Sequence, residues 1–532
     1  MGTSSKTLKI RLASVEDGLD NTGFRKFSAY VKSIHSNTDI IYLPTGNRLS
    51  LIRILLDKGC GDYSSKDIYK IAQYLSKADL IGFSSMTPYA SIVHEIIVYI
   101  RQLNPKAYIV WGGTHAIIFP EDAIKHADAV CTGEGEFAFE KFLELFKKEK
   151  DYTTAPSFWF RKDNNIIKNT NLPLMKSDTM NELPHLTYQD GELIYNKSKG
   201  IESIDSSDFI KFSGITYHTI WSIGCPLACT FCANTKFIEY DNNYRRLRYS
   251  SPQKMIDEVK RVKSKTPFIS DIVFNDDSFL ALRYEVLKEF CELWKKEVKI
   301  PFAVYGIIPN YVREDKIALL VDAGMNRIRM GIQSGSDNIL EFYKRPTKLK
   351  RITEATKIFN KFKKYMVPPV YDMILDNPVE TAEDTRASLD LIYNLPRPFT
   401  LNVFSLRVIP NTTLEKDMKE KGINIPKIEK DYLVGHHKTL GNILVFVLTV
   451  LKIPEWLYKI LRNKVHPIQT KQPVYPILFA FFRIVYYVKR ALGNIRFMNF
   501  SVLPGKIAFL SWKIGIISFW HRFILKKYSL PK

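Results

Sequence analysis

Between Thr219 and Leu406, short apolar runs alternate with helix-like stretches. The strand-like runs are Thr219–Gly224, Asp271–Asn275, Phe302–Tyr305, Arg327–Ile332, Val370–Leu375 and Leu401–Leu406. Helical patterns lie between them, over Tyr284–Val298, Lys316–Ala323, Ile352–Phe362 and Ala382–Tyr393. Gly324 sits where a helix C-terminus favours glycine. Parallel strands need crossovers of this length. Six such units curl into a partial (β/α)6 barrel of TIM type, with the chemistry on loops at the carboxyl ends of the strands. Four loops fall there: Cys225–Cys232, Asn275–Asp277, Gly331–Gly335 and Asp376–Glu380.

The first loop places Cys225, Cys229 and Cys232 at spacings of four and three residues. Thiolates so spaced can converge on one metal centre. A structural zinc site takes four protein ligands and is closed. An iron–sulfur cluster held by three cysteines keeps one iron open, and thiolates are the soft donors it wants. The other cysteines are Cys60, Cys131 and Cys291. Six in 532 residues are too sparse for a disulfide framework, which predicts a reducing, cytoplasmic setting. The polar start, Met1–Lys6, predicts no secretory leader, and no uninterrupted apolar run reaches the ~18–20 residues of a spanning helix.

Residues 1–150 alternate in the same way. Leu8–Ala13, Asp39–Leu43, Leu80–Ser85, Tyr108–Gly112 and Ala129–Cys131 read as strands, with helices over Ile68–Leu75 and Ile92–Leu103. This predicts a Rossmann-like open parallel sheet, with a ligand at the carboxyl ends of its strands. The loops there are Ser84–Pro88, Gly112–His115 and Thr132–Glu136. Their candidate ligand contacts are Ser84, Ser85, Thr87, Gly112, Gly113, Gly133, Glu134 and Gly135. Residues 151–212 lose the alternation. They read as a linker with a small hairpin around Asp163–Asn165.

The charge is uneven. From Asp431 to Lys532 there are sixteen Lys/Arg against two acids, so this tail carries +14 of the net +22. Its apolar segments, Ile443–Leu451, Tyr475–Phe482 and Ile507–Leu525, are studded with Lys, Arg, Trp512 and Trp520. Such segments suit helices lying in a membrane interface, which predicts peripheral contact with the inner face of a membrane or a lipid-like substrate. A helical cap packed on the barrel is the other reading. Nucleic acid is disfavoured, because the basic residues are interleaved with long aliphatics. The expected organisation is α/β: a Rossmann-like domain (1–150), a linker (151–212), a partial barrel (213–430) and a helical basic extension (431–532).

The Cys-x3-Cys-x2-Cys loop, with Phe231 before its third cysteine, resembles the signature of the radical SAM superfamily. The resemblance implies a [4Fe–4S] cluster on Cys225, Cys229 and Cys232. It also implies S-adenosylmethionine on the open iron, reductive cleavage to a 5′-deoxyadenosyl radical, and an electron-donor protein as partner. It suggests Phe231, Asp276, Asp277, Gln333, Ser334 and Arg329 as contacts to S-adenosylmethionine, with Arg327 an alternative to Arg329. Gly331–Ser336 is similar to the family's Gly-Ile-Glu-Ser-Gly segment, with Gln333 for Glu. Asp376–Thr381 is similar to Gly-x-Pro-Gly-Glu-Thr, and Pro410–Thr412 to Pro-Gly-Thr. Asp376, Val379 and Asn411 replace the glycines. The first 150 residues resemble the cobalamin-binding domain of radical SAM enzymes through Gly112–His115, Pro120–Asp122 and Gly133–Glu136. The Asp-x-His-x-x-Gly loop, whose histidine ligates cobalt, is absent. The resemblance implies a cobalamin-dependent methyltransferase acting on an unactivated carbon of a small-molecule or lipid-like substrate. A radical SAM enzyme without corrinoid and a non-catalytic iron–sulfur or metal-binding protein are the alternatives.

Overall fold

A strand that is apolar on both faces belongs inside a helix-covered parallel sheet. The chain builds such a sheet from β1 (Ile10–Glu16), β2 (Thr38–Pro44), β3 (Leu80–Ser85), β4 (Tyr108–Gly112) and β5 (Ala129–Cys131). These run parallel in the order β5-β4-β3-β1-β2. The computed structural model describes residues 8–46, 63–163, 165–425, 436–465, 474–497, 499 and 503–520. Met1–Lys6, Cys60, Arg522 and the 430/431 boundary lie outside the described residues.

The stretch read as a linker contributes strands to this sheet. A hairpin of β6 (Phe158–Lys162) and β7 (Asn165–Lys168) pairs antiparallel beside β5. A second hairpin, β8 (Leu193–Asn196) and β9 (Gly200–Ser203), extends the opposite edge beside β2. The sheet therefore has nine strands. The hairpins satisfy backbone groups that bare sheet edges leave unpaired. Between them, Leu186 and Asp190 bond Arg261 on the outside of the barrel, at 2.7 and 2.9 Å.

The second sheet is β10 (Thr216–Thr219), β13 (Asp271–Phe274), β14 (Phe302–Ile307), β15 (Met325–Gln333), β16 (Val370–Leu375) and β17 (Thr400–Ser405). All pairs are parallel and sequential, and β10 and β17 are its edges, so it is a partial barrel. Its first strand ends where the sequence reading began it. Residues after Thr219 leave the barrel and form β11 (Ser222–Ile223), antiparallel to β12 (Arg248–Tyr249). The cause is local: Asp276 takes the amides of Trp221 and Ser222, at 2.9 and 2.8 Å. Strand alternation then sorts the side chains. Ile272, Phe274, Val304, Ile328, Met330, Tyr371 and Met373 join the main core. Their neighbours His218, Asn275, Tyr305, Arg329, Asp372 and Asn402 occupy the opposite, lumen face.

The tail packs on this barrel. Leu440–Val450 is helical and buried from Gly441 onward. It lies between the helices Ala382–Asn394 and Tyr475–Arg496. The Ile443–Leu451 segment is therefore core up to Val450 and not an interface helix. The helix Glu455–Asn463 is held by Arg462 on Asp390 at 2.6 Å and by Tyr458 stacked on Tyr393 at 4.2 Å. The helix Gly505–Lys513 starts so close to the helix Ser206–Ser213 that a Cβ on Gly505 would stand 1.7 Å from the Ile210 carbonyl oxygen. Among the described residues, no helix is long and apolar enough to cross a membrane.

Candidate functional site

The cysteine loop is braced on three sides. The Cys225 amide donates to Tyr244 O at 3.1 Å, Thr230 N to Tyr343 O at 2.9 Å, and Leu414 N to Thr230 O at 3.0 Å. Cys225, Cys229 and Cys232 share an apolar pocket with Leu227, Ile308, Phe231 and Tyr311. Phe231 meets Tyr343 edge-on, with 4.9 Å between centroids. Burial pushes the Cys225 thiol up to about 11 and raises Cys232 as well. Cys225 and Cys232 thus ionise when a metal takes the charge, so loading releases their protons. Arg345 supplies a cation: its Nη1 lies 3.6 Å from Cys229 Sγ, and its Nη2 donates to Gly331 O at 2.6 Å. Its Nε is buried without a partner. Three thiols and an arginine suit an anionic thiolate-bound cluster.

The other expected residues divide. Asp277 lies beside the thiols, bonded by Tyr244 Oη at 3.3 Å and raised by burial. Asp276 turns away to hold Trp221 and Ser222, and burial pushes it up to about 6. It positions the cysteine loop. Gln333 adopts a positive φ of 66° and folds back over Gly331. Ser334 is buried against Ser388 at 3.3 Å. Arg327 and Arg329 share the lumen face, as alternation requires. Arg327 pairs with Asp271, and Arg329 with Asp372 at 2.8 Å. The sequence reading missed Gly306. Its φ is +66°, and a Cβ there would lie 1.7 Å from Asp276 O. Its position at the carboxyl end of β14 was the available signal.

Asp376 and Asn411 stand where the resembled motifs carry glycine. Their φ values are 60° and 61°, the left-handed region that Asp and Asn tolerate best among side-chain-bearing residues. Each side chain also reaches another part of the chain. Asp376 accepts from Asn442 Nδ2 at 2.8 Å and Ser405 Oγ at 2.6 Å. Asn411 Nδ2 donates to Ile118 O at 3.0 Å. Beside Asp376, burial and the carboxylates of Asp376 and Asp384 push Glu380 up to about 8. Its proton is then held by the folded chain between its ordinary value near 4.5 and about 8. The folded state binds more protons in that window, so this group's effect on stability worsens as pH rises through it and is constant above. Glu380→Gln should flatten that part of the melting temperature–pH curve. An unchanged slope would show that Glu380 ionises normally.

At the carboxyl ends of β1, β3, β4 and β5 lies a cleft of about 260 Å³. Of the candidate contacts, Ser84, Gly112, Gly113, Gly133, Glu134 and Gly135 line it. Ser85 and Thr87 do not. Ser85 is buried and accepts from Trp111 Nε1 at 3.1 Å, while Thr87 faces His115 at 3.4 Å. His115 itself is buried, with Asp122 at 3.4 Å. Glu16, Asn21, Phe24 and Phe27 add a wall that the sequence reading missed. They end or follow β1, so the rule applied to the other strand ends would have found them. The cleft is mainly apolar, with the polar groups of Glu16, Asn21, Ser84, Thr114, Glu134 and Glu136 at its walls. Among the described lining residues there is no histidine to ligate a metal.

The two carboxyl edges face each other. Glu134 pairs with Arg248 at 2.7 Å, Tyr240 Oη donates to Ile117 O at 2.9 Å, and Lys26 Nζ donates to Ile220 O at 2.7 Å. The cleft is thereby presented to the mouth of the barrel.

Comparison with known proteins agrees with this pairing. Residues 219–392 match the radical SAM superfamily, and residues 54–143 match the B12 binding domain. An uncharacterized methyltransferase of Pyrococcus horikoshii is 22% identical over 63% of this chain and 68% of its own length. An anaerobic magnesium-protoporphyrin IX monomethyl ester cyclase of Synechocystis is 23% identical over 57% of this chain and 58% of its own. In fold, the chain is similar to the cobalamin-dependent S-adenosylmethionine radical enzyme OxsB. The TM-score is 0.60 at 16% identity, over 97% of this chain and 76% of that one. It is also similar to the radical S-adenosylmethionine methyltransferase TsrM of Kitasatospora setae. That TM-score is 0.60 at 13% identity, over 79% and 76% of the two chains. With a three-thiol loop at the mouth of one sheet and a glycine-edged cleft turned towards it from the other, the chain carries a radical SAM domain over residues 219–392 and, ahead of it, a B12-binding domain over residues 54–143.

Proposed function

We propose that this chain is a cobalamin-dependent radical SAM methyltransferase acting on an unactivated carbon of an amphiphilic small molecule. The apposition of the glycine-edged cleft to the three-cysteine loop carries this reading. When bound there, a [4Fe–4S] cluster supplies the electron that cleaves S-adenosylmethionine to a 5′-deoxyadenosyl radical, and cobalamin supplies the methyl group. Cys225, Cys229 and Cys232 hold the first, and Arg345 balances thiolate charge. Ser84, Gly112, Gly113, Gly133 and Gly135 border the second. Asp277 offers a carboxylate to the amino group of S-adenosylmethionine. His218, Asn275, Tyr305, Arg329, Asp372 and Asn402 orient substrate in the lumen. A reductant protein must deliver the electron.

The test is anaerobic reconstitution of the full chain with iron, sulfide and hydroxocobalamin. The chain should keep corrinoid absorbance through gel filtration and, once reduced, should convert S-adenosylmethionine to 5′-deoxyadenosine. A chain that emerges without corrinoid absorbance loses the cobalamin half of the reading.

The tail supports a substrate met at an anionic membrane surface. On the helix Tyr475–Arg496, Ile477, Phe481, Ile484, Val488 and Leu492 recur every three or four residues, and each is more than half exposed. Each nearby Lys or Arg adds about 1 kcal/mol at such a surface. The full chain should float with vesicles rich in anionic lipid, and Ile477→Asp with Phe481→Asp should abolish flotation. Equal flotation of the double variant would sink the interface reading.

A further inference from the structure

The interior of a parallel barrel is ordinarily filled by layers of side chains. In this barrel the lower layer does not meet across the centre. Tyr217, Tyr371 and Leu401 belong to the main core, so alternation turns Thr216, Val370 and Thr400 towards the lumen. With Val273 they line a cavity of about 470 Å³ towards the amino ends of the strands, the end away from the cysteine loop. Phe212 and Phe399 form its sides, and Leu492 and Phe497 of the tail form its outer wall. His218 and Tyr305, two of the residues that orient substrate in the proposed reaction, stand at its upper end. The cavity therefore continues the substrate site along the barrel axis.

Its wall is mainly apolar, and the charged groups in it are engaged within the chain. Asp20 accepts from Ser213 Oγ at 2.7 Å and lies 3.9 Å from His218 Nε2. Arg327 pairs with Asp271. Lys489 Nζ donates to Thr449 O at 3.3 Å, and Arg490 donates to Asn402 Oδ1 at 3.0 Å. None of them is needed to hold a hydrocarbon, which apolar burial alone favours. Leu492 is also 61% exposed and belongs to the apolar stripe on the outer face of its helix, so that stripe runs up to the cavity. The volume lies in the range of small-molecule sites. We propose that this cavity takes the hydrocarbon chain of the reaction's substrate, which is thus a long-chain amphiphile with its chain pointing away from the cysteine loop. That the chain is the substrate's rests on the methyltransferase reading; the affinity of the cavity for hydrocarbon does not.

Calorimetric titration of the full chain with straight-chain primary alcohols, from hexanol to dodecanol, tests it without turnover. One molecule should bind per chain, and each added methylene should tighten binding about fourfold. Val370→Phe and Thr400→Phe each put a ring into the cavity and should end that gain at a shorter alcohol than in the unaltered chain. Ile477→Asp with Phe481→Asp, on the exposed stripe, should leave the whole series unchanged. In the unaltered chain, α,ω-decanediol should bind at least about tenfold weaker than decanol, because its second hydroxyl enters an apolar wall. That readout holds even if the phenylalanine variants fail to fold. Equal binding of decanol and the diol, or absence of saturable binding, overturns the hydrocarbon site. A series that both phenylalanine variants leave unchanged, or that the stripe variant abolishes, also overturns it, because the alcohol then lies outside the barrel. Corrinoid retention and 5′-deoxyadenosine formation are measured apart from this titration, so failure of the reaction and failure of the cavity are told apart.

Discussion

Cys229→Ala is expected to reduce 5′-deoxyadenosine formation to that of a protein-free control. Iron bound per chain should fall with it. The thiol sits between the other two in a loop anchored at both ends, in a largely apolar pocket. The loss should exceed the removal of one ligand. Arg345 lies 3.6 Å from that sulfur, and without a thiolate its guanidinium becomes a buried charge lacking its counter-charge. Cys291→Ala is the matched control. Cys291 is buried within the helix Tyr284–Leu293, away from the loop, so its loss should cost stability and leave iron binding intact. If Cys229→Ala retains full iron and still forms product, the assignment of the three cysteines fails.

Gly306→Ala is the second large effect, and the sequence alone did not foretell it. A Cβ would stand 1.7 Å from Asp276 O, on a backbone already at φ +66°. Either β14 or the Asp276–Asp277 loop must move. Left-handed strain and overpacking cost roughly 1–3 kcal/mol each, so a destabilisation of about 3 kcal/mol or more is expected. The functional loss should be steeper. Asp276 fixes Trp221 and Ser222 just before the first cysteine, so displacing its loop shifts the cluster pocket. Thermal melting and iron retention would check both. A variant that melts and loads normally would show that the loop adapts.

The central strands were legible because burial on both faces leaves little choice of residue. Leu80–Ser85, Tyr108–Gly112, Ala129–Cys131 and Val370–Leu375 are observed with the expected limits. The first barrel strand slipped because Thr219–Gly224 is apolar throughout. Only a distant carboxylate, Asp276, decides that its last residues leave the sheet. The hairpins at 158–168 and 193–203 were partly hidden, since an edge strand answers to its neighbour's unpaired backbone more than to its own pattern. At the site, the cysteines carried their chemistry openly. Ser334 did not, because residue type cannot say whether a hydroxyl faces a lumen or a helix; here it faces Ser388. The missing glycines were legible as letters and misleading as chemistry. Asp376 and Asn411 keep the glycine backbone and add a tie, one to the tail and one to the first domain.

The position of the tail bears on the lifetime of a reactive intermediate. A six-stranded barrel leaves a gap between β10 and β17, and a carbon radical formed in an open lumen would meet water, buffer and dissolved gas. The long helix lies against β17 through Tyr486 and Arg490, and the next helix seats on Ser206–Ser213, just before β10. Phe497 and Asn499, from between these helices, line one cavity with Thr216 of β10 and Thr400 of β17. On the proposed reaction, the tail walls the chamber and shields from quenching a species that the barrel alone would leave open to bulk solvent.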